Sequence, residues 1–412
     1  MNPVRIVRRS VPDGTDTGDW PAHWPSLLRR VHAARGSAGG SDAMPRLTDL
    51  PPPAGMLGLA EGVAVLRDAI ARDRHIVVTA DFDCDGATAC AVAVRGLRLL
   101  GARRVSYAVP DRVVHGYGLT PALVGDIATL EPDLLLTVDH GIACHAGIDA
   151  ARARGWQVVV TDHHLPGETL PNANAVIDPN QPGDGFPSKA LAGVGVLFYL
   201  LLALRAAARE AGEPAGTADL AALLDLVAVG TVADMVPLDA ANRALVGAGL
   251  RRIREGRACA GLQALMAVAG RDPARLTTAD IGFGIAPRIN AAGRLEDMRV
   301  GIECLLTDAA AKAQELAAAL HAINAARRDL QDGMVDAASA AVDAAGNHAA
   351  LAPCLFDEDW HPGVIGLVAS RLKEKLHRPV LAFAPSGNGD GLLRGSARSI
   401  PGFHMRDAIA LV

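Results

Sequence analysis

Four short stretches carry the residues best suited to chemistry. They are Asp81-Phe82-Asp83-Cys84-Asp85-Gly86, Asp139-His140-Gly141, Asp162-His163-His164, and Gly230-Thr231-Val232-Ala233-Asp234-Met235-Val236-Pro237-Leu238. Carboxylates that converge repel one another unless a cation sits among them, and oxygen-rich sites suit Mg²⁺ or Mn²⁺. Histidine adds a borderline ligand that favours Mn²⁺ as well. At strand period Asp81, Asp83 and Asp85 would project to one side, with Phe82 and Cys84 on the other. Gly86 would then let the chain turn tightly into the next helix. A single D-x-D is ordinarily a solvated acidic turn, so the weight lies on the recurrence of such clusters. Asp225 and Asp234 also interrupt an otherwise apolar helical stretch, and a buried, unpaired carboxylate needs a partner or a metal. Asp225 could cap or pair locally, whereas Asp234, beside the break at Pro237, is the ligand candidate.

The elements that must position these residues alternate. A helix over 61–71 precedes an apolar strand over 75–80, and a helix over 88–100 precedes a strand over 104–109. Strands over 133–138 and 157–161 flank a helix over 146–154. Short apolar runs between helices of this length indicate βαβ units and a parallel sheet. Each of the first three acidic clusters directly follows a strand. In a doubly wound sheet the carboxyl ends of the strands lie along one edge, so the three turns should meet in one crevice.

Residues 188–307 read as helical with Pro and Gly breaks, and 308–344, Ala-rich with Gly333 as its one glycine, as a single long helix. Strand and helix alternate again after Asn347. The fold class is therefore α/β: a parallel-sheet domain with a helical segment, a long connecting helix, and a second, smaller α/β domain. The expected boundaries are an arm at 1–56, the catalytic domain at 57–307, the connecting helix at 308–346 and the second domain at 347–412. The arm contains one short helix, over 25–35. A helix starting near His404 runs to the end of the chain at Val412, so the second domain is expected to be incomplete.

Composition excludes several classes. Half of the 412 residues are hydrophobic and 21% are charged, the profile of a soluble globular protein of two or three domains. A formal net charge of −5 argues against gripping nucleic acid with bulk positive charge, but a metal-holding carboxylate cluster would lower the net charge without excluding a basic groove. Six cysteines without C-x-x-C pairing offer neither a disulfide framework nor a zinc cage and fit a reducing cytoplasm. No secretory signal is visible, and the longest apolar run, over 190–204 with Gly193 and Gly195 inside it, is too short to span a bilayer and reads as a buried helix. Aromatic residues make up 3%, so a single-strand groove would have few stacking platforms and would rely on phosphate contacts.

Three further segments fit anion binding. Ile281 to Leu295 sets Arg288, Asn290 and Arg294 in an apolar, glycine-bearing stretch. Trp360-His361-Pro362-Gly363 opens a helix, where free N–H groups favour a phosphate. Gly391 to Ser399 combines small residues with Arg394 and Arg398.

The order D-x-D-x-D-G, D-H-G, D-H-H and G-T-V-A-D-x-V-P-L resembles motifs I to IV of the DHH phosphoesterases. Pro110-Asp111-Arg112, Gly116-Tyr117-Gly118-Leu119, Asp178-Pro179-Asn180, Ala192-Gly193-Val194-Gly195-Val196 and the segments around Trp24-Pro25 and Ala33-Ala34-Arg35-Gly36 resemble the RecJ-like exonucleases in particular. The later segments are similar to that family's P-R-x-N-A-x-G-R motif and DHHA1 domain. The resemblance runs from about residue 24 to the end of the chain. It implies metal-dependent 5′→3′ hydrolysis of single-stranded DNA to 5′-mononucleotides, in DNA repair and recombination. The cofactors implied are two divalent ions, Mn²⁺ or Mg²⁺, and the partners are single-stranded DNA, a single-strand-binding protein and a helicase, for a cytoplasmic monomer without a membrane segment. One ion would be held by Asp83 and Asp139 with Asp81 close by, the other by Asp85, Asp139, His163 and Asp234. How Asp81 and Asp83 share the first site stays open. His164 would sit beside the scissile phosphate, and Arg288 and His361 would hold that phosphate. Arg112, Tyr117, Asn290, Arg294 and Arg394 would contact the strand, and Ser370, Arg371, Ser396 and Arg398 would receive its 5′ end. The family's closing Gly-Gly-His motif and its OB-fold do not occur before Val412.

Two other readings stand beside this one. Other DHH–DHHA1 proteins act on short oligonucleotides or cyclic dinucleotides, against which the N-terminal arm and the Gly116–Leu119 loop argue. A RecJ-like replication component without catalysis would be expected to lack carboxylates of the cluster, and here every candidate ligand is present.

Overall fold

The parallel strands expected after residue 75 form one sheet in the computed structural model, which describes residues 7, 10–11, 19–344, 350–387, 389 and 391–411. β1 (Ile76–Ala80), β2 (Val105–Ala108), β3 (Leu134–Val138), β4 (Gln157–Thr161) and β5 (Ala175–Ile177) are all parallel, in the order β2-β1-β3-β4-β5. Alternate side chains divide between two apolar layers. Ile76, Val78, Leu134 and Leu136 join a core shared with the helices Leu59–Ala71, Cys84–Leu99 and Gly193–Glu210. Val77, Leu135, Val158 and Val160 face the helices Pro121–Ile127 and His145–Ala153. Helices on both faces explain why β1 and β3 are buried at every residue: a parallel strand covered on both sides has no polar face. The strand order reverses direction between β1 and β3, the switch point at which such sheets open a crevice.

The long helix, Ala310–Ala344, extends over nearly all of the expected range. Its first half places Ala313, Ala317 and Leu320 in the core of the larger domain, and its second half gives Met334, Ala338 and Val342 to a separate core. It is therefore a shared wall as much as a spacer. The second core also contains Trp360, Val364 and Ile365 and lies against β6 (Cys354–Phe356), β7 (Val380–Pro385) and β8 (Leu393–Arg398), where β6 runs parallel and β8 antiparallel to β7. The expected junction at 346/347 lies outside the described residues.

Two elements packed in or on the main sheet escaped the sequence reading. Ala175–Ile177 is too short to show a period, and Pro121–Ile127 is a seven-residue helix marked only by Thr120, which caps it through Leu123 N–H. A third difference bears on function. The helix expected from residue 88 starts at Cys84, so Asp83 and Asp85 do not follow strand period. No helix among the described residues is long and apolar enough to cross a membrane.

Candidate metal centre

The first acidic stretch is a strand end folded directly into a helix. β1 stops at Ala80, and the Asp81 carboxylate accepts from the N–H of Phe82 at 2.7 Å. Asp83 caps the helix by accepting from Gly86 N–H at 3.0 Å. Asp85 lies in the first turn of that helix, and its two oxygens accept from Gly193 N–H (2.7 Å) and Val194 N–H (3.2 Å) at the start of the Gly193–Glu210 helix. A helix N-terminus favours this anion. The three carboxylates therefore converge through a cap and a helical turn. Gly86 serves by closeness, since a Cβ there would meet the Asp81 backbone at 2.5 Å.

Asp139 follows β3 with φ +63°, a left-handed conformation that non-glycine residues adopt at a cost. It turns the carboxylate back over the sheet edge, against Gly193, where any side chain would overlap it. His163, after β4, places Nε2 at 3.1 Å from Asp139 Oδ1 and 3.5 Å from Asp234 Oδ2. Asp234 caps the end of the Leu224–Ala233 helix. Asp139 Oδ1, His163 Nε2 and Asp234 Oδ2 are all buried and have no hydrogen-bond partner among the described residues. Buried polar atoms are normally paired. Here three orphans converge, and they are the atom types that ligate Mn²⁺ or Mg²⁺. Ligand atoms of Asp81, Asp83 and Asp139 lie within 4.8 Å of one another, as do those of Asp85, His163 and Asp234, and those of Asp139, His163 and His164. The donor set fits two neighbouring cations, with Asp139 placed to serve both.

Electrostatics supports the same reading. Burial, then the charge of Asp83, pushes the Asp81 carboxyl up to about 7. Burial and the neighbouring carboxylates also raise Asp85 and Asp139, and burial raises Asp234. Asp162 behaves differently. Burial opposes its charge, but His164 and the N–H groups of Ile142, His163 and His164 hold it below the usual carboxylate range. Its Oδ1 lies 2.7 Å from His164 Nδ1, and that bond raises His164 to about 9, so the ring is cationic at neutral pH. Asp162 thus orients a cation at the rim, a role the sequence reading did not single out although the D-H-H spacing contained it. Asp225 accepts from the N–H groups of Leu226 and Cys259 and belongs to no donor grouping among the described residues.

Comparison with known proteins places this geometry. Residues 75–231 match the DHH family N-terminal domain and residues 346–412 the DHHA1 domain. The single-stranded-DNA-specific exonuclease RecJ of Dickeya dadantii is 50% identical over 416 residues, covering 99% of this chain and 71% of that one. The chain belongs to the RecJ family. The RecJ of Thermus thermophilus is 40% identical over 355 residues, covering 85% of this chain and 50% of that relative. A crystal structure of exonuclease RecJ bound to manganese matches with TM-score 0.74 and 38% identity, covering 86% of this chain and 85% of that one. A structure of Thermus thermophilus RecJ with Mg²⁺ matches with TM-score 0.68 and 33% identity, covering 96% of this chain and 55% of that one.

Within this RecJ fold an arginine-rich wall faces the centre. Arg112 stacks over the Phe82 ring at 3.7 Å and donates to Gly293 O at 2.9 Å. Arg294 donates to Gly363 O, and burial, then Arg112, lowers it to about 10. Arg394 donates to the carbonyls of Arg112 and Val113, joining the two domains. Arg398 donates to the hydroxyls of Ser370 and Ser396. His361 is half-buried, and its Nδ1 accepts from Gly363 N–H. Arg371 is exposed. Tyr117, half-exposed, stands edge-on to both Phe82 and His164.

Two of the residues expected on the DNA have partners inside the protein. Arg288, expected at the phosphate, is buried and donates to Gly284 O and His321 Nδ1, so its donors are engaged inside the protein. Asn290, also expected on the strand, accepts from Cys84 N–H through Oδ1 at 2.7 Å. The helix Ala286–Leu295 in fact braces the acidic turn: Asn290 caps the Cys84 helix, and Gly293 lies so close to Phe82 O that no Cβ fits. Removing such outer support commonly costs about 10–100-fold in metal affinity. Asn290→Ala is therefore expected to raise the Mn²⁺ concentration for half-maximal rate about tenfold, with little change in the KM for DNA. A rise in KM at unchanged Mn²⁺ dependence would restore the strand-contact role.

Proposed function

We propose that this chain is a metal-dependent 5′→3′ exonuclease that hydrolyses single-stranded DNA to 5′-mononucleotides, acting in repair and recombination. The observation that carries the reading is the set of orphaned, buried donors around Asp139, in a chain so similar to single-stranded-DNA-specific exonucleases. Asp81, Asp83 and Asp139 would hold one divalent ion, and Asp85, Asp139, His163 and Asp234 the other. Ions so held lower the pKa of bound water and neutralise charge on the leaving oxygen.

The chain's own residues do the rest. Cationic His164 stands at the rim, held by Asp162, to bind the scissile phosphate and oppose its developing charge. Arg112, Arg294 and His361 line the same wall for phosphate oxygens. The Arg398 guanidinium, already ordered by Ser370 and Ser396, would receive the 5′ end together with Arg371. Ordering of this kind lowers the entropy cost of binding an anion. Tyr117 offers a ring to the terminal nucleotide, and Arg394 ties the wall to the loop after Arg112. A cytoplasmic location and supply of substrate by a helicase and a single-strand-binding protein complete the proposal.

The test is release of nucleotide from 5′-labelled single-stranded DNA, with duplex and 3′-labelled controls, in Mn²⁺, Mg²⁺ and EDTA. Labelled mononucleotide from single strands alone, and only with metal, is the expected result. Cleavage of added dinucleotide without cleavage of the long strand would assign a small-substrate enzyme. No cleavage of either would leave the non-catalytic reading.

A further inference from the structure

The chain has seven Phe, four Trp and three Tyr, and nearly all of the described ones are at least partly sheltered. Phe283 is the exception. It is 82% exposed, more than any other described aromatic side chain. Leaving a phenylalanine in water forgoes about 1.5–3 kcal/mol of burial. Nor does Phe283 sit on a fraying loop. It lies at the middle of a π-helix, Ile281–Ile285, whose two end residues are fully buried. π-Helical turns inserted in α-helices occur frequently at functional sites. The ring is therefore held outward by an anchored element.

The surroundings of that element are cationic. Arg271 lies against Gly284, where an added Cβ would stand 3.1 Å from Nε, and it pairs with Asp280 at 3.2 Å while staying half-exposed. Arg288 donates to Gly284 O, and the two side-chain charges that act on it are Arg328 and Arg271. Arg328 is exposed on the long helix. An exposed ring with arginines beside it is the combination that holds single-stranded nucleic acid without sequence preference.

The location connects this surface to the metal centre. A Cβ on Gly282 would meet the Val232 side chain at 3.9 Å, so the π-helix rests on the end of the helix that delivers Asp234. The residue after Asp234, Met235, is 87% exposed in the left-handed region at φ +63°. Two exposed apolar side chains thus lie beside the fourth acidic stretch, which the proposed function does not give to the 5′ end.

We propose that the π-helix Ile281–Ile285 is a landing platform for the single strand on the 3′ side of the cleaved bond. Phe283 stacks on a nucleobase, and Arg271 and Arg328 take flanking phosphates. The assignment deepens the proposed function and rests on it for the direction of the strand.

Binding of a long 3′-labelled single strand by fluorescence anisotropy in EDTA tests the platform without requiring cleavage. Phe283→Ala is expected to weaken binding about tenfold, the scale of one base on one ring, and Phe283→Trp to restore it. Arg328→Ala should flatten the salt dependence by about one phosphate contact. In turnover, the loss in kcat/KM on a long strand should exceed the loss on a dinucleotide by a similar factor. Undiminished binding by Phe283→Ala would overturn the platform and leave a protein surface as its occupant. An equal loss on long strand and dinucleotide would also overturn it, pointing to a structural effect on the centre. If wild type binds the strand but fails to cut it, the exonuclease reading falls while the anisotropy comparison still decides the platform.

Discussion

Asp139→Asn is expected to lower turnover of single-stranded DNA by at least about three orders of magnitude, the kinetic equivalent of several kcal/mol of lost metal assistance, without loss of the fold. Asp139 belongs to two of the three donor groupings and lies 3.1 Å from the histidine of the third. Gly193 lies directly against it, so no side chain there could take over its place without displacing it. Stability should move the other way. Burial, then the neighbouring carboxylates, disfavours the charged form of Asp139 in the metal-free protein, so a neutral amide there removes that cost of folding. Asparagine is the informative substitution, since it tolerates the left-handed conformation that Asp139 adopts, whereas alanine would add backbone strain. Thermal unfolding in EDTA should therefore show a midpoint no lower than wild type, and added Mn²⁺ should raise it less than in wild type. Retained turnover in Asp139→Asn would sink the shared-ligand scheme. Lost turnover with a collapsed midpoint would mean that the fold, and not the centre, had failed.

The sequence carried the strands well because β1, β3 and β4 are short apolar runs ending in acid, and a sheet covered on both faces allows little else. That logic also brought Asp81, Asp139 and Asp162 to one edge. It failed where local chemistry competes with period. Asp83 caps a helix, so the alternation read across Asp81, Asp83 and Asp85 was interrupted by the first helical turn. Arg288 and Asn290 were read by type, as polar groups free to meet DNA, but type does not reveal occupancy. Only the fold shows that Cys84 N–H occupies Asn290 Oδ1, or that Gly284 O and His321 Nδ1 accept from Arg288. Phe283 was illegible for a related reason: in a stretch with Ile281 and Ile285 it looks like core, and only the π-turn sends it outward.

The second large effect concerns pH in the absence of metal. Asp81 has a folded-state value of about 7, raised by burial and by Asp83 from an ordinary 3.8. The folded protein therefore holds a proton that the unfolded chain has released, and stability is lost as pH rises toward and through 7. That one group corresponds to on the order of 4 kcal/mol, and Asp85 and Asp139 act in the same direction. His140 opposes this. Burial lowers it to about 4 from 6.5, so it contributes stability that grows as pH rises between those values. His163 is also lowered by burial. Above about 6.5 the unfolded histidines are neutral too, and their opposition ends. From about pH 6.5 to 8 His164, raised to about 9, also holds a proton that the unfolded chain has released, so it and the buried carboxylates act in the same direction and the unfolding midpoint in EDTA should fall across that window. Saturating Mn²⁺ should remove the fall or reverse it, because metal binds the deprotonated carboxylates and its stabilisation grows as protons leave. Midpoints measured in EDTA and in Mn²⁺ at closely spaced pH values decide the point. Parallel curves would mean that the carboxylates do not hold the metal, whereas curves that diverge upward from about pH 6.5 would place the stabilising charge at the centre around Asp139.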